Sequence, residues 1–352
     1  MRIGIIGVGA VGEACAHLLA SSGIARSLVL ANRSVDIANA IRMDLEQSRP
    51  WTKPLSARSV PPWSPDEFRG CDALILTAGP RLQGTQTRAD MVTATARLLH
   101  GSPGQSIVEA LTRCAAGPEP PVLLVVTNPV EATVTWLQET TGWKRSRILG
   151  LGTTVESARF SRFLSDDLNV DASSVWTEIV GEHGPMIEVR DEAALCRRVR
   201  DLSGQDPKVE DLLARTRAVA AEIRKVSEAA GKQRADRFVT QFEAKLGPGV
   251  LVPEVAAALR KELAAEVSPP ATRFAIAAAA LEVIEAVGAD RGRLLPVSGL
   301  AGFQGLPDVA LALPFVVGRA GIVARGLDAP TQLLRGVAVA VERQVQAMRA
   351  AV

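Results

Sequence analysis

The chain has no tyrosine among its 352 residues, and aromatic residues make up only 4% of it. A reaction that needs a tyrosine acid or base is excluded, and an aromatic platform for stacked bases is not expected. Cysteine is sparse. Cys15, Cys71, Cys114 and Cys196 are scattered, so no CxxC metal or redox motif exists. Such usage makes no disulfide scaffold and fits a reducing, cytoplasmic compartment. Neither sign of charge is in excess: 40 Lys and Arg against 38 Asp and Glu leave a formal net charge of +2. That balance gives no reason to expect nucleic acid or an anionic membrane surface as a partner. A membrane-spanning run is also lacking, because the apolar tract 275–287 carries Glu282 and Glu285 and is too short. Histidine is limited to His17, His100 and His183, so any imidazole chemistry must use one of these. No His, Cys, Asp and Glu cluster has metal-ligand spacing, and no metal is expected.

What is present is an ordinary globular composition, 47% hydrophobic and 22% charged. The length suggests about two domains. Residues 1–22 loosely imitate a secretory signal. Glu13 and His17 inside the apolar stretch, and three spaced glycines, favour a strand, a glycine turn and a helix instead.

Short apolar runs alternate with helical stretches through the first half. Arg2–Ile6, Ser27–Ala31, Ala73–Thr77, Pro121–Val126 and Arg147–Leu149 read as strands, and Gly12–Ser21 as a helix. Arg58–Pro65 (RSVPPWSP) reads as a loop. Continuous apolar strands alternating with helices predict a parallel sheet covered on both faces. The character changes after about Gly150. Helices are expected over Asp206–Gly231, Pro253–Val267, Ala271–Val287 and Gln332–Ala350. Short strands are expected at Leu294–Val297, Val309–Leu313 and Gly321–Ala324. The fold class expected is α/β: a doubly wound parallel sheet over residues 1–150, followed by a mixed α+β domain over 151–352.

Gly7-Val8-Gly9-Ala10-Val11-Gly12 matches GxGxxG between an expected strand and an expected helix. Glycines there permit a tight turn, close approach of backbone to a pyrophosphate, and close helix–strand packing. The helix amino end adds free N–H groups and partial positive charge. Gly7, Gly9, Val11 and Gly12 are therefore candidate contacts of a dinucleotide in a Rossmann-type domain. The residue that reads the ribose should lie about 20 residues on, at the end of the second strand. An NAD enzyme carries Asp or Glu there; this chain has Asn32, Arg33 and Ser34. An acid would repel a 2′-phosphate, whereas Arg33 attracts one. The expected cofactor is NADP(H) in preference to NAD(H).

Four further segments follow in order. They are Thr77-Ala-Gly-Pro-Arg-Leu-Gln-Gly-Thr-Gln-Thr-Arg88, Val126-Thr-Asn-Pro-Val130, Val155-Glu-Ser-Ala-Arg-Phe160 and Gly181-Glu-His-Gly184. Behind GxGxxG, this series resembles the lactate/malate dehydrogenase family, the L-2-hydroxy acid dehydrogenases. The likeness runs from residue 1 to about 187 and resumes at Ala271–Ile276, Leu294–Ser298 and Leu313–Ile322. Residues 190–268 are longer than the family needs and suggest a helical insertion.

The resemblance implies a hydride exchange between nicotinamide and a small 2-oxo or 2-hydroxy acid. His183 would be the proton donor and acceptor, since an imidazole gives and retakes a proton near neutral pH. A carboxylate would hold the ring; the family uses Asp where this chain has Glu156, one methylene longer. Arg159 would grip the substrate carboxylate bidentately. Arg88, on a loop closing over the site, would polarise the carbonyl. Asn128 would bond the reacting oxygen or the cofactor, Ala78 and Gly79 would line the cofactor, and Thr272 the substrate. His17 and His100 lack such context and read as structural. Counting without gaps puts Leu82 at the position that contacts the substrate's variable group; matching Arg-x-x-Gly puts Arg81 there. Leu82 would favour an apolar group and Arg81 a second carboxylate. A homodimer or homotetramer is implied. The competing expectations are a degenerate paralogue that keeps the cofactor site for structure or regulation, and an NAD-dependent glycosidase. The latter needs a Cys and a His that Thr127–Val130 does not offer.

Overall fold

Arg2–Ile6 (RIGII) forms strand β1, with every residue after Arg2 buried. It is joined by β2 (Ser27–Ala31), β3 (Ser56–Val60), β4 (Ala73–Leu76), β5 (Val122–Val125) and β6 (Ile148–Gly150). The computed structural model describes residues 1–48, 55–80, 88–158, 161, 179–183, 187–189, 273–300, 302–325 and 331–352. The six strands pair in parallel in the order β3-β2-β1-β4-β5-β6. That is the order of a doubly wound dinucleotide-binding sheet. Ile3, Ile5, Leu28, Leu30, Leu74, Ile75, Leu123 and Leu124 are wholly buried along it. Each such side chain contributes about 1.5–3 kcal/mol relative to exposure, which is why these runs lack alternation.

Helices cover the sheet: α1 (Ala10–Ser22), α2 (Val35–Gln47), the short α3 (Pro65–Phe68), α4 (Arg88–His100), α5 (Ile107–Ala115) and α6 (Val130–Thr141). The loop expected at Arg58–Pro65 is corrected: residues 58–60 belong to β3 and Pro65 opens α3. β3 is an edge strand with exposed and half-buried residues, so SARSV carries no apolar run to reveal it.

In the second half, β7 (Ile179–Gly181) and β8 (Ile187–Val189) form an antiparallel pair. Further on come α7 (Arg273–Ala289), β9 (Arg293–Leu300), β10 (Ala310–Gly318), β11 (Gly321–Arg325) and α8 (Thr331–Ala350). β9 pairs antiparallel with β6 at Ser298 and Gly150, β10 with β9, and β11 with β10.

The chain divides into two compact units, Met1–Gly152 with Pro269–Val352, and Thr153–Ser268. Residues 269–352, which the sequence groups with the substrate domain, thus pack with the nucleotide-binding sheet. The reason is physical: β9 extends that sheet at β6, α7 packs on α1, and α8 packs on α6 and α4. Arg349 Nη2 adds an ion pair to Glu139 Oε1 at 2.7 Å. The helices expected at 206–231 and 253–267, and the insertion expected over 190–268, lie outside the described residues. Among the described residues no helix is long and apolar enough to cross a membrane.

Candidate active site

The glycine turn links β1 to α1 and is built as its spacing requires. Gly7 has φ 102°, a left-handed backbone that disfavours any side chain. A Cβ there would lie 2.4 Å from the amide nitrogen of Ala78, and one on Gly12 would lie 2.3 Å from the carbonyl oxygen of Gly7. Thr77 locks the turn by donating its hydroxyl to the Gly7 carbonyl at 2.6 Å. A Cβ on Gly9, by contrast, would meet nothing within 4 Å. Gly9 is also the N-cap of α1, and no side chain caps that helix. Val11 follows in the first turn, half-buried. An uncapped helix start, open at Gly9 and with no room for side chains at Gly7 and Gly12, fits a dinucleotide pyrophosphate.

Asn32, Arg33 and Ser34 lie between the end of β2 and the start of α2. The Asn32 side-chain amide donates to the Val8 carbonyl at 3.4 Å, tying this corner to the glycine turn. Ser34 is the N-cap of α2, its hydroxyl accepting from the Ile37 amide at 3.4 Å, which leaves the hydroxyl proton as a donor. Arg33 is exposed, and among the described residues it pairs with no carboxylate, Asp36 of the same helix start included. Residues 32–34 themselves include no acid and present one guanidinium, with Asp36 following in the first turn of α2.

Ala78 and Gly79 follow β4, and Thr127 and Asn128 follow β5. These strands are parallel to β1, so all these positions lie past the carboxyl ends of one sheet, where such folds bind ligands. The Thr127 hydroxyl lies within hydrogen-bond reach of the Leu76 and Ala78 carbonyls, at 3.1 and 2.8 Å. Asn128 has an exposed side chain, while its backbone carbonyl accepts from the Thr95 hydroxyl at 2.8 Å. The Asn128–Pro129 peptide is cis.

In the second unit, residues 154–158 are helical, with the Ser157 amide donating to the Thr153 carbonyl at 2.8 Å. Glu156 projects from this run, its side chain 9% exposed, and His183 follows β7 with its side chain 26% exposed. His183 Nδ1 lies 2.7 Å from Glu156 Oε1. The longer glutamate therefore reaches the ring. A carboxylate on Nδ1 fixes the ring's orientation and stabilises its positive charge when protonated. Of the two ring nitrogens, Nδ1 is the one that faces the carboxylate.

The structure thus joins His183 with Glu156, and groups Gly7, Gly9, Val11, Gly12, Asn32, Arg33, Ser34, Ala78, Gly79 and Asn128 along one sheet edge. Arg88 is the first residue of α4. Arg81, Leu82, Arg159 and Thr272 lie outside the described residues. His17 is exposed on α1, and His100 is exposed in the last turn of α4. Burial pushes the Cys15 thiol up to about 12, and the Cys71 and Cys114 thiols each up to about 11, so none is a nucleophile at neutral pH. Among the described residues no group of His, Cys, Asp and Glu could hold a metal ion. Thr77, Thr95 and Thr127 are missed by sequence reasoning. Only their places in and after strands and within an apolar helix hint at them, because each hydroxyl bonds a segment distant in the chain.

Residues 1–150 match the family described as "lactate/malate dehydrogenase, NAD binding domain". The L-lactate dehydrogenase of Nitratidesulfovibrio vulgaris (strain DP4) is 30% identical over 330 residues, covering 94% of this chain and 92% of that protein. The L-lactate dehydrogenase of Kosmotoga olearia is 26% identical over 324 residues, covering 92% and 87%. Among solved structures, a lactate dehydrogenase from a Medee basin deep-sea metagenome library superposes with TM-score 0.71 at 19% identity, covering 99% of this chain and 98% of that one. The minor L-lactate dehydrogenase of Enterococcus mundtii, in a ligand-bound form, gives 0.67 at 21% identity, covering 100% and 98%. At these identities the superpositions speak for the fold.

Proposed function

The chain belongs to the lactate/malate dehydrogenase family, and on that premise we propose that it reduces a 2-oxo acid to its 2-hydroxy acid and catalyses the reverse oxidation. The observation that carries this reading is the 2.7 Å contact between His183 Nδ1 and Glu156 Oε1. A ring held this way is oriented to give its Nε2 proton to a carbonyl oxygen and to take it back from a hydroxyl.

When bound, the nicotinamide dinucleotide supplies the hydride for the carbonyl carbon or accepts it from the alcohol. Gly7, Gly9, Val11 and Gly12 hold its pyrophosphate, with Ala78 and Gly79 beside it. Arg33 bonds a 2′-phosphate, helped by the Ser34 hydroxyl and the amino end of α2, so NADP(H) is preferred to NAD(H). Arg159 grips the substrate carboxylate and fixes which face of the carbonyl is presented. Arg88 would polarise the carbonyl oxygen, Asn128 would bond that oxygen or the cofactor, and Thr272 would meet the substrate. Reduction consumes one 2-oxo acid, one reduced cofactor and the proton on His183, which solvent replaces.

The two related proteins are named L-lactate dehydrogenases, which favours a monocarboxylate as substrate here. Leu82 facing the substituent suits that, and Arg81 there suits a dicarboxylate. The expected cytoplasmic setting and the homodimer or homotetramer remain part of this reading on family grounds. The test is an NADPH and NADH oxidation screen over 2-oxo mono- and dicarboxylates. Turnover of at least one 2-oxo acid, faster with NADPH, is expected. Tight NADPH binding with no turnover across the panel would favour the degenerate, cofactor-binding role instead.

A further inference from the structure

Thr95 lies in the middle of α4 with no solvent exposure. A mid-helix threonine commonly turns its hydroxyl back to a carbonyl of its own helix. Thr112, Thr135, Thr140 and Thr141 do so here, each to the carbonyl four residues earlier. Thr95 instead donates across the fold to the carbonyl of Asn128, 33 residues away, at 2.8 Å. Its position is seven residues after Arg88, nearly two full turns, so both positions fall on one face of α4. The residue before Asn128, Thr127, is tied separately, its hydroxyl within hydrogen-bond reach of the Leu76 carbonyl at the end of β4 and the Ala78 carbonyl just past it. Asn128 is therefore anchored by its backbone while its side chain stays exposed.

We propose that Thr95 is a positioning residue that couples the helix beginning at Arg88 to the peptide of Asn128, so that both ends of the substrate's carbonyl-binding machinery share one register. The inference rests on the dehydrogenase reading, in which Arg88 and Asn128 meet the substrate. Without the Thr95 hydroxyl, the Asn128 carbonyl loses its donor in a part-buried place, and the peptide carrying the Asn128 side chain is less firmly held. The cost falls on orientation in the reacting complex rather than on cofactor capture, since the glycine turn is untouched.

The experiment compares Thr95→Val, which keeps the shape and removes the hydroxyl, with Thr95→Ser, which keeps the hydroxyl and removes the methyl. Thr95→Val is expected to lower kcat about tenfold while the NADPH Kd stays within about twofold. It is also expected to speed amide exchange over residues 127–133 about tenfold, measured by mass spectrometry. Thr95→Ser should restore kcat and exchange to near wild-type values. Should Thr95→Val fail to fold, Thr95→Cys, close in volume and a weak donor, is expected to give an intermediate loss. Wild-type kcat and exchange in Thr95→Val would overturn the proposal, as would equal losses in the Val and Ser variants, which would mark a packing effect. If wild-type protein turns over no 2-oxo acid, the dehydrogenase reading fails, and the exchange comparison still decides whether Thr95 holds Asn128.

Discussion

Nδ1 of His183 lies 2.7 Å from Oε1 of Glu156, so the extra methylene of glutamate is absorbed without loss of the pairing. The carboxylate is the more buried partner, 9% exposed against 26% for the imidazole. On the proposed reading, that asymmetry suits an imidazole that meets the substrate and a carboxylate that meets only the ring.

His183→Asn should therefore lower kcat by about 10²- to 10⁴-fold while leaving NADPH affinity near wild type. Glu156→Gln should lower kcat by a smaller factor, about 10- to 100-fold, because the ring remains but loses its orienting charge. Steady-state rates and a fluorescence titration of NADPH check both. A His183→Asn enzyme at wild-type rate would remove the imidazole from the mechanism.

On the proposed reading, Arg33 is what selects NADP(H). Arg33→Ala should weaken NADPH by about 10- to 100-fold, the loss of a charge-assisted contact, and change NADH by no more than about twofold. Equal losses for both nucleotides would discard the 2′-phosphate contact.

Gly12→Val tests the turn. Its Cβ would start 2.3 Å from the Gly7 carbonyl oxygen and 2.9 Å from the Thr77 hydroxyl oxygen, so backbone must move. Dinucleotide affinity should fall at least about 100-fold, and the melting temperature should drop by several degrees. Unchanged binding in a calorimetric titration would contradict the pyrophosphate assignment.

Burial holds the Cys15 thiol up to about 12 and those of Cys71 and Cys114 up to about 11. At pH 8 these groups are almost wholly protonated, so a disulfide-exchange reagent should find no more than one fast thiol in the folded protein. All four should react after denaturation in guanidinium. Two or more fast thiols in the native state would contradict the burial.

Much of this was legible in the sequence where burial on both faces leaves an unbroken apolar run. SLVLA, ALIL and VLLV are strands for that reason. SARSV is not legible, because an edge strand needs no such run. β9 and β10 extend beyond the runs that suggest them, since Pro314 looks like a stop. Pro314 sits opposite Pro296 in the ladder, a pairing in which neither residue has to donate to the other. The glycine turn was readable because its constraint is local: strand, turn and helix are consecutive. The His183–Glu156 pair was readable only through motif order, the residues being 27 apart in number. The hydroxyl of Thr95 was not readable at all, because its partner is fixed by how α4 lies beside the end of β5.

The most direct measurement uses NADPH deuterated at C4 of the nicotinamide, each epimer in turn, with a 2-oxo acid substrate and mass analysis of the product. One epimer should place a single deuterium on C2 of the 2-hydroxy acid, and His183→Asn should slow that labelling by at least about 100-fold. A product without deuterium at C2, or labelling by His183→Asn at the wild-type rate, would contradict the account.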